Sequence, residues 1–245
     1  MRFTYHSEAL GRLEAVQAVL PAELPEKPFP TLYMLHGLGA SEASVFDFTR
    51  LAYWAREMGL AVFIPMGQDS FYVNRDATGE NVFRLVGEEL PRVTRRLFPL
   101  SGRREETFLG GISMGGYGAL NAGYAWPETF GRVIALSAAL RPWETLPGLT
   151  QARSEALFGP DRDRWDTLAL ARRCPGPAPE VWMTCGAADS LLDANRAFAR
   201  DATAMGLPVR WEERPGGHTW DFWNDTLPEA LRFLTEPRTR ADQGG

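Results

Sequence analysis

Cysteine is scarce in this 245-residue chain, with two residues, Cys174 and Cys185. That excludes a disulfide-stapled scaffold and a cysteine-only zinc site. Histidine occurs at three positions, His6, His36 and His218, too few for a His-rich metal cage, so neither metal nor cofactor is expected. No apolar run approaches the ~20 residues of a membrane span. The first residues, Met1-Arg2-Phe3-Thr4-Tyr5-His6-Ser7-Glu8, lack the apolar core of a signal peptide, so the expected location is the cytoplasm, with no membrane partner. Lysine occurs once, at Lys27, and isoleucine three times, at Ile64, Ile112 and Ile134. Together these scarcities point to a GC-rich coding sequence rather than to a task for the arginines. The pairs Arg95-Arg96, Arg103-Arg104 and Arg172-Arg173 stand among acidic residues in a chain of net charge −5. Without a sustained basic run, nucleic acid is not an expected partner.

What remains is an ordinary globular composition, 44% hydrophobic and 23% charged. A chain of this length buries roughly 70–75% of its unfolded surface and needs no staples. We expect one domain over residues 1–245. The runs Leu13–Leu20, Leu32–Leu35, Leu60–Ile64, Thr107–Ile112, Arg132–Ser137, Glu180–Cys185 and Val209–Glu213 read as strands. Between them lie helical patterns. The first carries Phe48, Leu51, Ala55 and Met58 on one face and stops at Gly59. Asn81–Leu97 places Val82, Leu85, Val86, Val93 and Leu97 inward, with Pro91 set to kink or divide it. Met114–Tyr124, Leu191–Met205 and Thr219–Leu234 complete the series. Such alternation predicts an α/β fold, a mostly parallel sheet with helices on both faces. Residues 138–179, rich in Pro and Arg, interrupt the rhythm and read as a small cap over the carboxyl edge of the sheet, where ligands bind in open α/β folds. The tail 237–245 is expected to be mobile.

Gly111-Ile112-Ser113-Met114-Gly115 has the form of a nucleophile elbow, a serine on a tight strand-to-helix turn. A chain of this composition contains the pattern by chance about one time in twelve, so its setting decides. Here a strand, Thr107–Ile112, enters the turn, and a small-residue helix leaves it. A serine hydroxyl needs a base. His6 falls in the first strand, at the surface or an edge. His36 precedes Gly37-Leu38-Gly39 and reads as a turn-stabilising residue. His218, after the last strand, occupies the place that the chain order Ser, Asp/Glu, His gives the base. Asp189, at the carboxyl end of a strand, is the candidate acid. Its other reading is a helix N-cap, and Asp193 is its rival, although inside a helix. The amides of Met114 and Leu38 are the candidate oxyanion donors. The Gly37/Gly39 pair lacks the full spacing of a dinucleotide loop.

The segments Leu35–Gly39, Phe71–Val73, Glu88–Pro91, Gly111–Ala119 and Gly216–His218, in that order, resemble the esterase D family, which holds tributyrin-type carboxylesterases and S-formylglutathione hydrolases. The resemblance runs from about Leu32 to Trp223. It implies an α/β-hydrolase fold and serine hydrolysis of short acyl esters or thioesters, with Ser113 as nucleophile, Asp189 as acid, His218 as base, and Leu38 and Met114 as oxyanion amides. Glutathione-thioester members usually carry a cysteine shortly after the oxyanion glycine. Here the stretch reads Leu38-Gly39-Ala40-Ser41-Glu42-Ala43-Ser44. That departure, with Tyr117 in the elbow helix, favours a carboxylesterase. A thioesterase, an acyltransferase on the same fold and a non-catalytic binding protein are the alternatives.

Phe71, Tyr72 and Trp143 are candidates to line the acyl pocket, with Trp165 a further one. Cys185 reads as a small buried hydrophobe. The expected partner is a small acyl ester, and a homo-oligomer is open.

Overall fold

Runs of consecutive apolar residues too short for helices become strands buried on both faces, and the chain spends them on one sheet. The computed structural model describes residues 1–22, 26–146 and 148–237. A hairpin opens it, β1 (Arg2–Ser7) and β2 (Arg12–Val19), followed by β3 (Thr31–Leu35). Two short helices, α1 (Ser44–Phe48) and α2 (Leu51–Glu57), lead to β4 (Ala61–Pro65). Next, α3 (Val82–Arg84) passes through a π-helical turn at Leu85–Glu89 into α4 (Leu90–Leu97). The strand β5 (Thr107–Ile112), the helix α5 (Met114–Ala125) and β6 (Arg132–Leu136) follow. Three helices, α6 (Pro142–Thr145), α7 (Gln151–Phe158) and α8 (Thr167–Arg172), fill the interval before β7 (Glu180–Gly186). Then come α9 (Leu192–Ala204), β8 (Val209–Arg214) and α10 (Trp220–Thr235). The tail expected to be mobile lies, from residue 238 on, outside the described residues.

The strands form one eight-stranded sheet in the order β1-β2-β4-β3-β5-β6-β7-β8. The pairs β1–β2 and β2–β4 are antiparallel, and every pair from β4 to β8 is parallel. Alternate residues of the central strands feed opposite cores, as the two-residue strand period requires. Tyr33, Leu35, Leu109, Val133, Ala135, Val181 and Met183 join the core beneath α5. Leu32, Met34, Phe108, Ile134, Leu136 and Trp182 join the core beneath α2 and α10. The expected α/β-hydrolase architecture is therefore present, and the parallel strands bring their carboxyl ends to one edge.

Two helical faces differ from the sequence reading. The pattern from Phe48 to Met58 is not one helix, because Thr49 is extended (φ −137°, ψ 169°) and separates α1 from α2. Leu51 and Ala55 are buried as expected, whereas Phe48 is 59% exposed. Further on, Pro91 has no N–H to return to the preceding turn, and the chain widens there into the π turn. That turn shifts the face by one residue, so Thr94 is buried in place of Val93, and Leu97 points to solvent, 58% exposed.

Candidate active site

Ser113 sits on the turn between β5 and α5 with φ 55° and ψ −114°, a conformation that non-glycine residues adopt only where their surroundings compel it. The flanking glycines supply the room. A Cβ on Gly111 would lie 2.1 Å from the Gly115 backbone, and one on Gly115 would lie 2.0 Å from the Leu35 carbonyl oxygen. The sharp turn is fixed from both sides. The Ser113 amide donates to the Leu136 carbonyl at 2.9 Å, and its carbonyl accepts the amide of Ala139 at 2.9 Å.

The Ser113 hydroxyl lies 3.0 Å from His218 Nε2, and His218 Nδ1 lies 2.9 Å from Asp189 Oδ2. His218 follows β8 and keeps about a third of its side chain exposed, whereas the Asp189 side chain is fully buried. Asp189 Oδ1 accepts the amide of Leu191 at 2.9 Å. Burial pushes the Asp189 carboxyl up. The His218 hydrogen bond, the Leu191 amide and the Ser137 hydroxyl together outweigh it and hold the carboxyl below the usual aspartate range. Asp189 is thus ionised at neutral pH. Its rival Asp193 is turned to solvent, 94% exposed, and pairs with Arg196 at 3.0 Å.

Ser137 was not singled out by the sequence. It follows β6 with φ 50°, is fully buried, accepts the Trp223 indole N–H at 3.1 Å, and helps to lower the Asp189 carboxyl. Cys185, beside it, is a buried thiol pushed up to about 12 by burial and by the Asp189 charge, hence inert as a nucleophile.

The candidate oxyanion amides, Leu38 and Met114, flank Ser113. Leu38 lines the same cleft as Ser113, and Met114 stands in the first turn of α5, where an amide has no partner within the helix. The Leu38 loop is braced behind. His36 is buried and its Nε2 donates to the Met66 carbonyl at 2.5 Å. The Gly39 amide donates to Asp69 Oδ1 at 2.8 Å. His36 therefore has the structural task expected of it, and His6 is exposed on the edge strand β1.

A cleft of about 210 Å³ opens over Ser113, lined among others by Leu38, Phe48, Ile112, His218, Trp220 and Trp223. The Trp223 ring stands edge-on to His218 at 4.9 Å and to Trp220 at 5.1 Å, and Trp220 in turn faces Phe48 at 5.1 Å. Phe71, Tyr72, Trp143 and Trp165, expected on the acyl wall, do not line this cleft. Left-handed backbone at Phe71 (φ 54°) and Tyr72 (φ 56°) turns both side chains into the core. Tyr72 donates its hydroxyl to the His36 carbonyl at 3.2 Å, and Phe71 packs on Phe158 at 5.4 Å. Trp143 also packs on Phe158, at 5.1 Å. Trp165 is buried, and its carbonyl accepts the Tyr117 hydroxyl at 2.6 Å, tying the 138–179 segment to α5. The aromatic wall that the sequence reading missed had one available signal: Trp220 and Trp223 lie two and five residues after the candidate base.

Among the described residues no cluster of three or more His, Cys, Asp or Glu is placed to hold a metal ion, and no helix is long and apolar enough to cross a membrane.

Known proteins give this geometry its context. The sequence profile of the Esterase family matches residues 7–234. The acetyl esterase of Caldicellulosiruptor saccharolyticus is 31% identical over 96% of this chain and 98% of its own length. The S-formylglutathione hydrolase of Paracoccus denitrificans is 30% identical over 96% of this chain and 92% of its own. Among solved structures, the fluorophosphonate-binding serine hydrolase FphF of Staphylococcus aureus superposes with a TM-score of 0.87 at 25% identity, covering 97% of this chain and 98% of that one. With a profile match from β1 to α10, and with relatives of 30% identity and above along nearly their whole length, the chain belongs to the esterase family of α/β-hydrolases.

Proposed function

We propose that the chain is a serine carboxylesterase acting on short-chain acyl esters through an acyl-enzyme on Ser113. One observation carries the reading: the continuous hydrogen-bonded path from Ser113 Oγ through His218 to the buried, ionised Asp189. His218 Nε2 takes the Ser113 proton as Oγ attacks the carbonyl carbon. The carbonyl electron pair moves onto oxygen, where the Leu38 and Met114 amides stabilise it. Collapse expels the alkoxide, which receives the proton from His218. Water then enters, gives its proton to His218 and attacks the acyl carbon, and Ser113 leaves with that proton. Asp189 keeps the Nδ1–H tautomer and stabilises the imidazolium.

A cleft of about 210 Å³ is smaller than the ~300–1,000 Å³ typical of sites for drug-sized ligands, which supports a small acyl group. The acetyl esterase relative agrees with that size. The thioesterase reading is favoured by the S-formylglutathione hydrolase relative and opposed by the missing cysteine in residues 40–44. The test is turnover of p-nitrophenyl acetate by the parent chain and by Ser113→Ala. The parent should be active and covalently labelled by a fluorophosphonate, and the variant should lose both, its turnover by several orders of magnitude. A Ser113→Ala chain with near-parental turnover would end this reading.

A further inference from the structure

Behind the Leu38 loop lies a buried carboxyl that the reaction scheme leaves without a task. Glu14 projects from β2 with its side chain fully buried. Its Oε1 accepts the Gly67 amide at 3.2 Å, and its Oε2 lies 3.4 Å from the Arg12 guanidinium. Gly67 and Gln68 both hold left-handed backbone (φ 53° and 52°) in the segment after β4. That segment, residues 66–72, makes three bonds to the oxyanion loop. The Met66 carbonyl takes the His36 Nε2–H, the Asp69 carboxylate takes the Gly39 amide, and the Tyr72 hydroxyl donates to the His36 carbonyl. The Tyr72 ring lies directly against Gly67.

We propose that Glu14, as its carboxylate, is a positioning residue for the oxyanion loop: by holding Gly67 it fixes the 66–72 segment, which in turn holds the residues on either side of the Leu38 amide. The inference rests on the Ser113 reading above. It explains why the chain keeps an acid where burial disfavours one.

Burial pushes the Glu14 carboxyl up to about 6, against the lowering pull of the Gly67 amide, Arg12 and the Met66 amide. The other groups facing it are Glu42, before α1, which adds to the rise, Tyr5 of β1, with Glu89 beyond it, and Tyr72. Arg12 is shared with Glu80 at 2.8 Å. A carboxyl raised in the fold binds its proton more tightly folded than unfolded. Its contribution to stability is therefore present at low pH and lost as pH rises through about 6. At neutral pH the ionisation of Glu14 therefore costs stability rather than adding to it.

The experiment uses the full chain and p-nitrophenyl acetate, reading kcat and KM against pH together with Tm. Loss of a whole oxyanion donor costs ~10²–10³ in kcat, so a displaced donor should cost about tenfold. At pH 8, Glu14→Gln should lower kcat about tenfold, leave KM within twofold, and keep Tm at or above the parent's, since oxyanion contacts act mainly in the transition state. On the acid side the parent should show a loss of activity near pH 6 from protonation of Glu14, and the variant should lack that step. Arg12→Gln should move the Glu14 step to higher pH while leaving plateau kcat within twofold. It also decides the matter if Glu14→Gln does not fold. Parental kcat in Glu14→Gln, a kcat loss matched by a Tm loss, or an unmoved acid limb in Arg12→Gln would overturn the proposal. A parent chain without turnover, or an active Ser113→Ala, would overturn the reading beneath it as well. An active parent and a dead Ser113→Ala beside an unchanged Glu14→Gln would overturn this proposal alone.

Discussion

The two sides of the cleft are held by different means. Ser113, Asp189 and His218 each follow a parallel strand within a few residues of its end, so the sheet fixes their spacing. The oxyanion side rests on a loop after β3, braced by the 66–72 segment, where Gly67, Gln68, Phe71 and Tyr72 all carry positive φ. The strand-end side is held by paired backbone. The loop side is held by buried polar groups and turned-in aromatics. In the proposed mechanism the first side acts through single side chains, and the second through a network behind the backbone.

The largest effect belongs to the strand-end side. Asp189→Asn should lower kcat by about 10⁴, since an amide favours the wrong His218 tautomer. Asp193→Asn, exposed on α9, should change kcat less than twofold. Steady-state rates for the two variants check this, and a large loss in Asp193→Asn would show that the acid has been misplaced. Because Asp189 stays ionised, the parent's acid limb does not report its titration.

An aromatic pair sharpens the comparison next. Phe71 is fully buried and Phe48 is 59% exposed at the cleft. Phe71→Ala should cost about 3–5 kcal/mol of stability in a denaturant titration. Phe48→Ala should leave the melting transition in place and raise KM about fivefold to tenfold, the loss of ~1 kcal/mol of apolar contact with substrate. Reversed outcomes would place the substrate on the Phe71 side.

That pair also marks where the sequence stopped being legible. Residues that a strand end positions could be read directly: the elbow glycines are required by close backbone approach, and the order Ser113, Asp189, His218 follows the order of the strands. Phe71 and Tyr72 could not be read so. Left-handed backbone at two bulky residues has no local signature, because tertiary contacts impose it against their own preference. The same holds for α4, where Pro91 announces a break but not the π turn that rotates Thr94 inward, and for Phe48, released to the cleft by the extended Thr49. Glu14 and Ser137 escaped notice because a buried polar residue inside an apolar run looks like an ordinary alternation.

A smaller effect concerns acyl length. Each methylene that fits a pocket gains ~0.8 kcal/mol, and one that meets a wall gains nothing. In a cleft of about 210 Å³, kcat/KM on p-nitrophenyl esters should peak between acetyl and butyryl and fall steeply by octanoyl. A peak at decanoyl or beyond would mean that the 138–179 segment opens a longer channel.

The central claim is that Ser113 carries the acyl group, poised by His218 and the ionised Asp189. Rapid quenching of the full chain with p-nitrophenyl acetate in acid, followed by peptide mapping by mass spectrometry, tests it most directly. The expected result is a burst of nitrophenol with one acetyl group on the peptide containing Ser113, absent from Ser113→Ala. Turnover with no acylated peptide, or with the acetyl group on Cys185 or another residue, would contradict it.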